Sequence, residues 1–230
     1  MKVDTVELLD QARAAGWAME PVARRFLADN GVPGARFAWA RTADEAVAAA
    51  ADIGYPVVAK VVSPQVVHKT DVGGVVVGIG DERQLREVFE RLSAIAGFEG
   101  VVVDELVHGV ELIVGAKEDP QFGMVVLAGI GGTSVEIYKD VAIRMAPVTA
   151  EQARSALAGL AGHELLEGHR GSPPVDLDAL ATLIERFSEV AHALTGIAAS
   201  IDLNPVIAGP DRALVADARI MLRPAPDGGR

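Results

Sequence analysis

Two stretches of the sequence carry residues whose types and spacing could do chemistry. The first runs from Gly54 to Val75. Its opening apolar run, Val57 to Val62, is broken only by Lys60, and a polar segment follows with His68, Lys69, Thr70 and Asp71 ahead of Gly73 and Gly74. A lysine almost never enters a buried strand without a partner, so the ammonium is read as meeting an anion. The competing reading is a strand-edge lysine that carries its charge out to water. Paired glycines let backbone N–H groups come close to a ligand. A lysine and a glycine pair could hold a phosphoryl group against the His68 ring, making this a candidate phosphate site with a titratable histidine beside it. Taken alone, His68 reads equally well as a structural loop residue.

The second stretch is Ile201-Asp202-Leu203-Asn204-Pro205 with Val215-Ala216-Asp217-Ala218-Arg219. Asp202 and Asn204 are two apart, so on a strand they share a face. A turn symmetrical about Pro210–Asp211 sets Asn204 opposite Asp217, and three oxygen-bearing side chains then converge on one face of a hairpin. Carboxylate and amide oxygens suit Mg²⁺, which takes one or two protein ligands and completes its shell with phosphate and water. The plain alternative is a solvent-facing polar side. On spacing alone, Asp104, Glu105 and Glu111 read as surface acids. The sequence has no Gly-x-x-x-x-Gly-Lys-Ser/Thr loop, no Gly-x-Gly-x-x-Gly fingerprint and no Gly-x-Ser-x-Gly elbow. His163-Glu-Leu-Leu-Glu167 departs from the zinc-protease helix at its fifth residue.

The elements that must position these residues follow from periodicity and punctuation. Helices are expected over Val6–Ala15, Pro21–Asn30, from Thr42 to Gly54, Asp81–Ala96, Thr149–Leu157 and Leu177–Leu194. Thr42-Ala-Asp-Glu45 reads as a capping box, and Gly31 and Pro33 stop the second helix. Strands are expected at Arg36–Ala40, on either side of the His68 loop, at Val101–Glu105, Glu111–Ala116, Met124–Ala128, Ile201–Ile207 and Leu214–Leu222, with Glu136–Met145 extended. This is an α+β (α/β) pattern in two lobes. The expected divisions are an N-terminal helix over 1–20, a small lobe over 21–100, a second lobe over 101–223 and a disordered tail over 224–230.

Composition narrows the function. With 21 basic against 32 acidic residues the chain carries a net charge of −11, the opposite of a nucleic-acid binder's basic stripe. The absence of cysteine excludes disulfides and thiolate metal sites. The N-terminus carries acids where a signal peptide needs a basic region, and the longest apolar run, near Val125–Ile130, is far too short to span a membrane. The expectation is a cytoplasmic protein with neither nucleic-acid nor membrane partners.

From about Pro21 to Leu222 the sequence resembles the β subunit, or β-like domain, of the ADP-forming (NDP-forming) acyl-CoA synthetases, an ATP-grasp family related to succinyl-CoA synthetase. The resemblance is most specific at Gly54-Tyr-Pro-Val-Val-Ala-Lys60 and His68-Lys-Thr-Asp-Val-Gly-Gly-Val75. Glu111-Leu-Ile-Val-Gly115, Asp119-Pro-Gln-Phe-Gly123, Gly129-Ile-Gly-Gly132, Lys139-Asp140, Asp202-Leu-Asn-Pro205 and Ala216-Asp-Ala-Arg219 support it in family order. It implies an ATP-grasp fold with nucleotide, ATP or ADP, held between two α+β lobes. Lys60 and Lys69 would then meet the phosphates, and Val72, Gly73 and Gly74 would belong to the glycine-rich cover. Asp104, Glu105, Leu106 and Val107 would form the hinge that reads the base through backbone groups. Glu111 would take the ribose hydroxyls, and Asn204 and Asp217 would bind Mg²⁺ with Asp202 helping. His68 would be transiently phosphorylated, relaying a phosphoryl group to and from a CoA-binding α subunit in a heterotetrameric acetate–CoA ligase. Two alternatives are a nucleotide-sensing module attached to a partner such as an acetyltransferase, and a carboxylate–amine ligase, which leaves His68 without a task.

Overall fold

The computed structural model describes residues 12, 15–131, 140–168 and 173–223. Trp17–Ala18 form a short strand, β1, that the sequence pattern did not predict, and helix α1 follows over Glu20–Asp29. Pro21 sits in the first turn of α1, where its missing N–H leaves no intrahelical bond unmade. The expected helix over 6–15 falls almost wholly outside the described residues, and the tail after Arg223 falls outside them entirely.

Residues Ala35–Val107 form one unit. In chain order it contains β2 (Phe37–Ala40), α2 (Ala43–Ile53), β3 (Val57–Val62), β4 (Val75–Ile79), α3 (Glu82–Ser93) and β5 (Gly100–Glu105). Among the described residues its antiparallel sheet has four strands in the order β2-β5-β3-β4. The Thr42 hydroxyl accepts from Glu45 N at 3.2 Å as expected, but the Glu45 carboxylate reaches Arg41 N at 2.7 Å, so the capping box closes one residue early. Asp81 caps α3 in the same way through Gln84 N at 2.8 Å. Val57, Ala59, Val61, Val101 and Val103 pack with Ala46, Ala50, Leu85, Phe89 and Leu92 of the two helices. Strand alternation therefore turns Val58, Lys60, Val102 and Asp104 to the opposite face of this sheet.

The second unit joins the chain up to Gly34 with the chain from His108 onward. Its elements after α1 are β6 (Val110–Asp119), β7 (Gly123–Ile130), β8 (Val141–Met145), α4 (Ala150–Ala158), α5 (Leu177–Ala193), β9 (Ala198–Ala208), β10 (Ala213–Val215) and β11 (Ala218–Leu222). Among the described residues its sheet has seven strands in the order β1-β11-β9-β6-β7-β8, with β10 also paired to β9. Thr149 and Gln152 make a full capping box on α4. Phe26 and Leu27 of α1 and Leu183 and Phe187 of α5 bury against Leu112, Val114, Ile201 and Leu203 on one face of the sheet.

Two divisions expected from the sequence are corrected. Helix α1 buries its apolar side in the second unit rather than in the small lobe, so that lobe begins at Ala35 and ends at Val107 instead of spanning 21–100. The single strand expected at Leu214–Leu222 is interrupted at Ala216–Asp217. Of the extended segment over 136–145, only its end is described, as β8. No helix among the described residues is long and apolar enough to cross a membrane.

Candidate functional site

Lys60 lies on β3, between β5 and β4, and is 7 % exposed, so it does not snorkel from a sheet edge. Its ammonium pairs with Asp104 Oδ2 at 2.7 Å. The pairing follows from register: Lys60 faces Val102 and Val58 faces Asp104, which makes Lys60 and Asp104 diagonal neighbours on one sheet face. Asp104 is thus a buried strand residue, and its backbone lies between Phe37 of β2 and Val58 of β3. Glu105 is also committed: its N–H donates to Arg36 O at 2.9 Å and its carboxylate accepts from Arg36 N at 3.1 Å. Leu106 and Val107 differ, since among the described residues they make no hydrogen bond. They are the part of the expected hinge with backbone groups to offer a base.

Past β3 the chain forms a 3-10 turn over Lys69–Val72, with His68 preceding it and Gly73 in the left-handed region at φ 63°. The glycine amides are not held out toward a ligand. Gly73 N donates to Thr70 O at 3.1 Å and Gly74 N to Lys69 O at 2.7 Å, while Gly74 O accepts from Val61 N at 2.8 Å. A Cβ on Gly74 would lie 2.6 Å from Val61 Cγ1 and 2.9 Å from Lys69 O. The glycine pair is therefore required by the turn's closure onto β3, and both amides are taken up within the turn. Gly74→Ala is expected to cost roughly 1–3 kcal/mol of stability by overpacking, measured by urea unfolding. Val72 is exposed, and so is His68, whose ring makes no hydrogen bond among the described residues.

On the second unit, Glu111, Asp202, Asn204 and Asp217 share the face of the sheet turned away from α1, α4 and α5. Their neighbours Leu112, Ile201, Leu203 and Ala218 point into the core. The hairpin register is the one expected from symmetry about Pro210–Asp211, with Val215 opposite Val206 and Ala218 opposite Leu203. At its centre Asn204 N donates to Asp217 O at 3.2 Å and Ala216 N to Pro205 O at 3.0 Å. The burial pattern of β9 changes phase here, with Leu203 and Val206 both inward, so Asn204 and Pro205 are pushed outward together. The opposing β6 strand shows a register shift between Leu112 and Val114.

Asp202, on the same face, has a charged partner opposite it. Its carboxylate accepts from Arg219 Nη2 at 3.1 Å, a directly opposed cross-strand pair. Among the described residues no group of three His, Cys, Asp or Glu side chains converges on a metal position. Asn204 and Asp217 remain as a two-oxygen set held side by side by the ladder, a donor set that fits Mg²⁺ completed by phosphate and water.

The sequence matches the ATP-grasp domain family over residues 10–222. It is 40% identical over 225 residues to the acetate–CoA ligase [ADP-forming] I subunit beta of Pyrococcus furiosus, covering 94% of this chain and 97% of that one. The chain belongs to this ATP-grasp family of ADP-forming acetate–CoA ligase β subunits. The family also occurs within longer proteins: acetate–CoA ligase [ADP-forming] I of Archaeoglobus fulgidus is 43% identical over 199 residues, which make up 29% of its length. A solved structure of a Candidatus Korarchaeum cryptofilum dinucleotide forming acetyl-coenzyme A synthetase 1 superposes with a TM-score of 0.84 at 38% identity, covering 96% of this chain and all of that one. That structure holds coenzyme A and Mg-AMPPCP, with a phosphohistidine segment pointing towards its nucleotide binding site.

Within this family framework, two residues carry more than the sequence reading gave them. Asp104 is the anion that meets Lys60, and Arg219 is the cation that meets Asp202. Arg219 had a signal, since the turn symmetry that sets Asn204 opposite Asp217 also sets Asp202 opposite Arg219. Asp104 had none, because nothing local to β5 announces which strand lies beside it.

Proposed function

We propose that this chain is the nucleotide-binding β subunit of an ADP-forming acyl-CoA ligase, a carboxylate–CoA ligase completed by a CoA-binding α subunit in a heterotetramer. The overall reaction converts ATP, a carboxylate and CoA to ADP, phosphate and the acyl-CoA, reversibly. The observation that carries this reading is the near-complete match, from end to end, to a relative that is itself a β subunit. The arrangement of charged and nucleophilic residues supports it.

Phosphoryl transfer depends on positioning and charge neutralisation. Lys60 would bring a buried cation to the phosphates of ATP or ADP, and Lys69 a second one from the turn. Leu106 and Val107 would meet the base through their backbone groups and Glu111 the ribose hydroxyls. Asn204 and Asp217 would hold Mg²⁺, which supplies positive charge against the phosphate oxygens. A ring nitrogen of His68 would take the phosphoryl group, the P–N bond forming as the P–O bond to ADP breaks, and pass it to the partner subunit. The exposure of His68 suits a group that must be reached by both donor and acceptor.

Co-expression with a CoA-binding α chain and assay of ADP release against acyl-CoA formation tests the function. One ADP per acyl-CoA is expected. Release of AMP, or a folded complex without turnover on acetate or any other short carboxylate, would overturn it. For the metal set, Asn204→Ala together with Asp217→Ala is expected to weaken ADP binding about tenfold or more in Mg²⁺ and to leave binding in chelator unchanged. Equal losses in the two conditions would make these residues structural.

A further inference from the structure

We propose that Arg219 is a phosphate-contacting residue of the nucleotide site and that Asp202 is its positioning residue rather than a magnesium ligand. The inference rests on the nucleotide reading above. Arg219 lies two residues beyond Asp217, and the alternation of β11, with Ala218 and Ile220 buried, turns both to the face that carries Asn204. Its guanidinium is held from directly across the ladder by Asp202 Oδ2 at 3.1 Å. Arginine has five N–H donors in a planar fork, and among the described residues Asp202 takes one of them, with the buried Nε left lacking any acceptor. A guanidinium oriented through one edge still presents donors that match two phosphate oxygens.

The same contact argues against Asp202 as a metal ligand. Its Oδ2 is committed to the guanidinium, and Asn204 and Asp217 already provide what Mg²⁺ needs from protein. Retained as a pair, Asp202 and Arg219 add no net charge of their own. They place a fork of donors beside the metal ligands, where the phosphate chain of a nucleotide must lie if those ligands are correctly assigned.

The test is calorimetric titration of ADP into the full chain, once in excess Mg²⁺ and once in chelator, with the thermal transition of each variant recorded. Arg219→Ala should weaken ADP about tenfold to a hundredfold in both conditions, the loss expected for a charge-assisted contact. Arg219→Lys should fall between, because an ammonium keeps the charge and loses the fork. Asp202→Ala should weaken binding less, again in both conditions. The double variant should bind no more weakly than Arg219→Ala, since Asp202 acts through Arg219 alone. A loss on Asp202→Ala confined to Mg²⁺, an additive double variant, or wild-type binding by folded Arg219→Ala and Arg219→Lys would each overturn the proposal. Folded wild-type chain that binds ADP in neither condition would overturn the nucleotide reading itself and this proposal with it, a result that no failure confined to the variants can mimic.

Discussion

Replacing His68 with alanine is expected to abolish the acid-labile, base-stable phosphate that the proposed relay requires the partnered protein to acquire from Mg-ATP. Acyl-CoA-forming turnover should fall by about a thousandfold or more, the scale seen when a covalent nucleophile is removed. The residue is exposed and its ring makes no hydrogen bond among the described residues, so the substitution should leave stability within about 0.5 kcal/mol and ADP affinity nearly unchanged. This separation makes the result interpretable: a large kinetic loss in a fully folded variant that still binds nucleotide and the α partner points to the chemical step. Phosphate incorporation is read by radiolabel with acid and base treatment, and turnover by coupled assay with the α partner. Normal turnover in His68→Ala would end the relay mechanism, whatever the nucleotide affinity.

The second large effect concerns the Lys60–Asp104 pair. Its two side chains are 9% and 3% exposed, so the pair is largely withdrawn from water. Asp104→Ala should lower the unfolding free energy by about 3–5 kcal/mol, because it removes the close countercharge of a buried ammonium. On a domain-scale total of roughly 5–15 kcal/mol that is a large share. Lys60→Met combined with Asp104→Leu should recover most of the loss, since a matched apolar pair needs no countercharge. The double variant should nevertheless fail to bind ADP tightly, which assigns Lys60 a role that packing cannot replace. Urea unfolding and calorimetry of the three variants check this. A cost below about 1 kcal/mol for Asp104→Ala would place the pair among exposed salt bridges that contribute little. Retained ADP affinity in the double variant would remove Lys60 from the site.

Much of the fold was legible in the sequence because it is written in short-range patterns. The helices α2, α3, α4 and α5 announce themselves through apolar spacing and through Thr42, Asp81, Thr149 and Asp176, whose side chains accept backbone N–H bonds at their first turns. β1 escaped notice because two residues carry no period, and it exists only because Trp17 and Ala18 find Met221 and Ile220. α1 was legible as a helix and misassigned as to lobe, since an amphipathic face states that it must be covered and leaves open by what.

The candidate site divides along the same line. A hairpin is a local object, so the turn at Pro210–Asp211 by itself determined that Asn204 meets Asp217, and implicitly that Asp202 meets Arg219. The buried run around Lys60 likewise determined that its ammonium needs an anion. Only the tertiary structure decided which anion, because the strand order that sets β5 beside β3 lies outside any local period. It also decided that the Gly73 and Gly74 amides serve the turn and that Asp104 turns its carboxylate to Lys60. Residue types and spacing specify which groups cannot stand alone, whereas the choice of partner is made by strands and loops that meet only once the chain has folded.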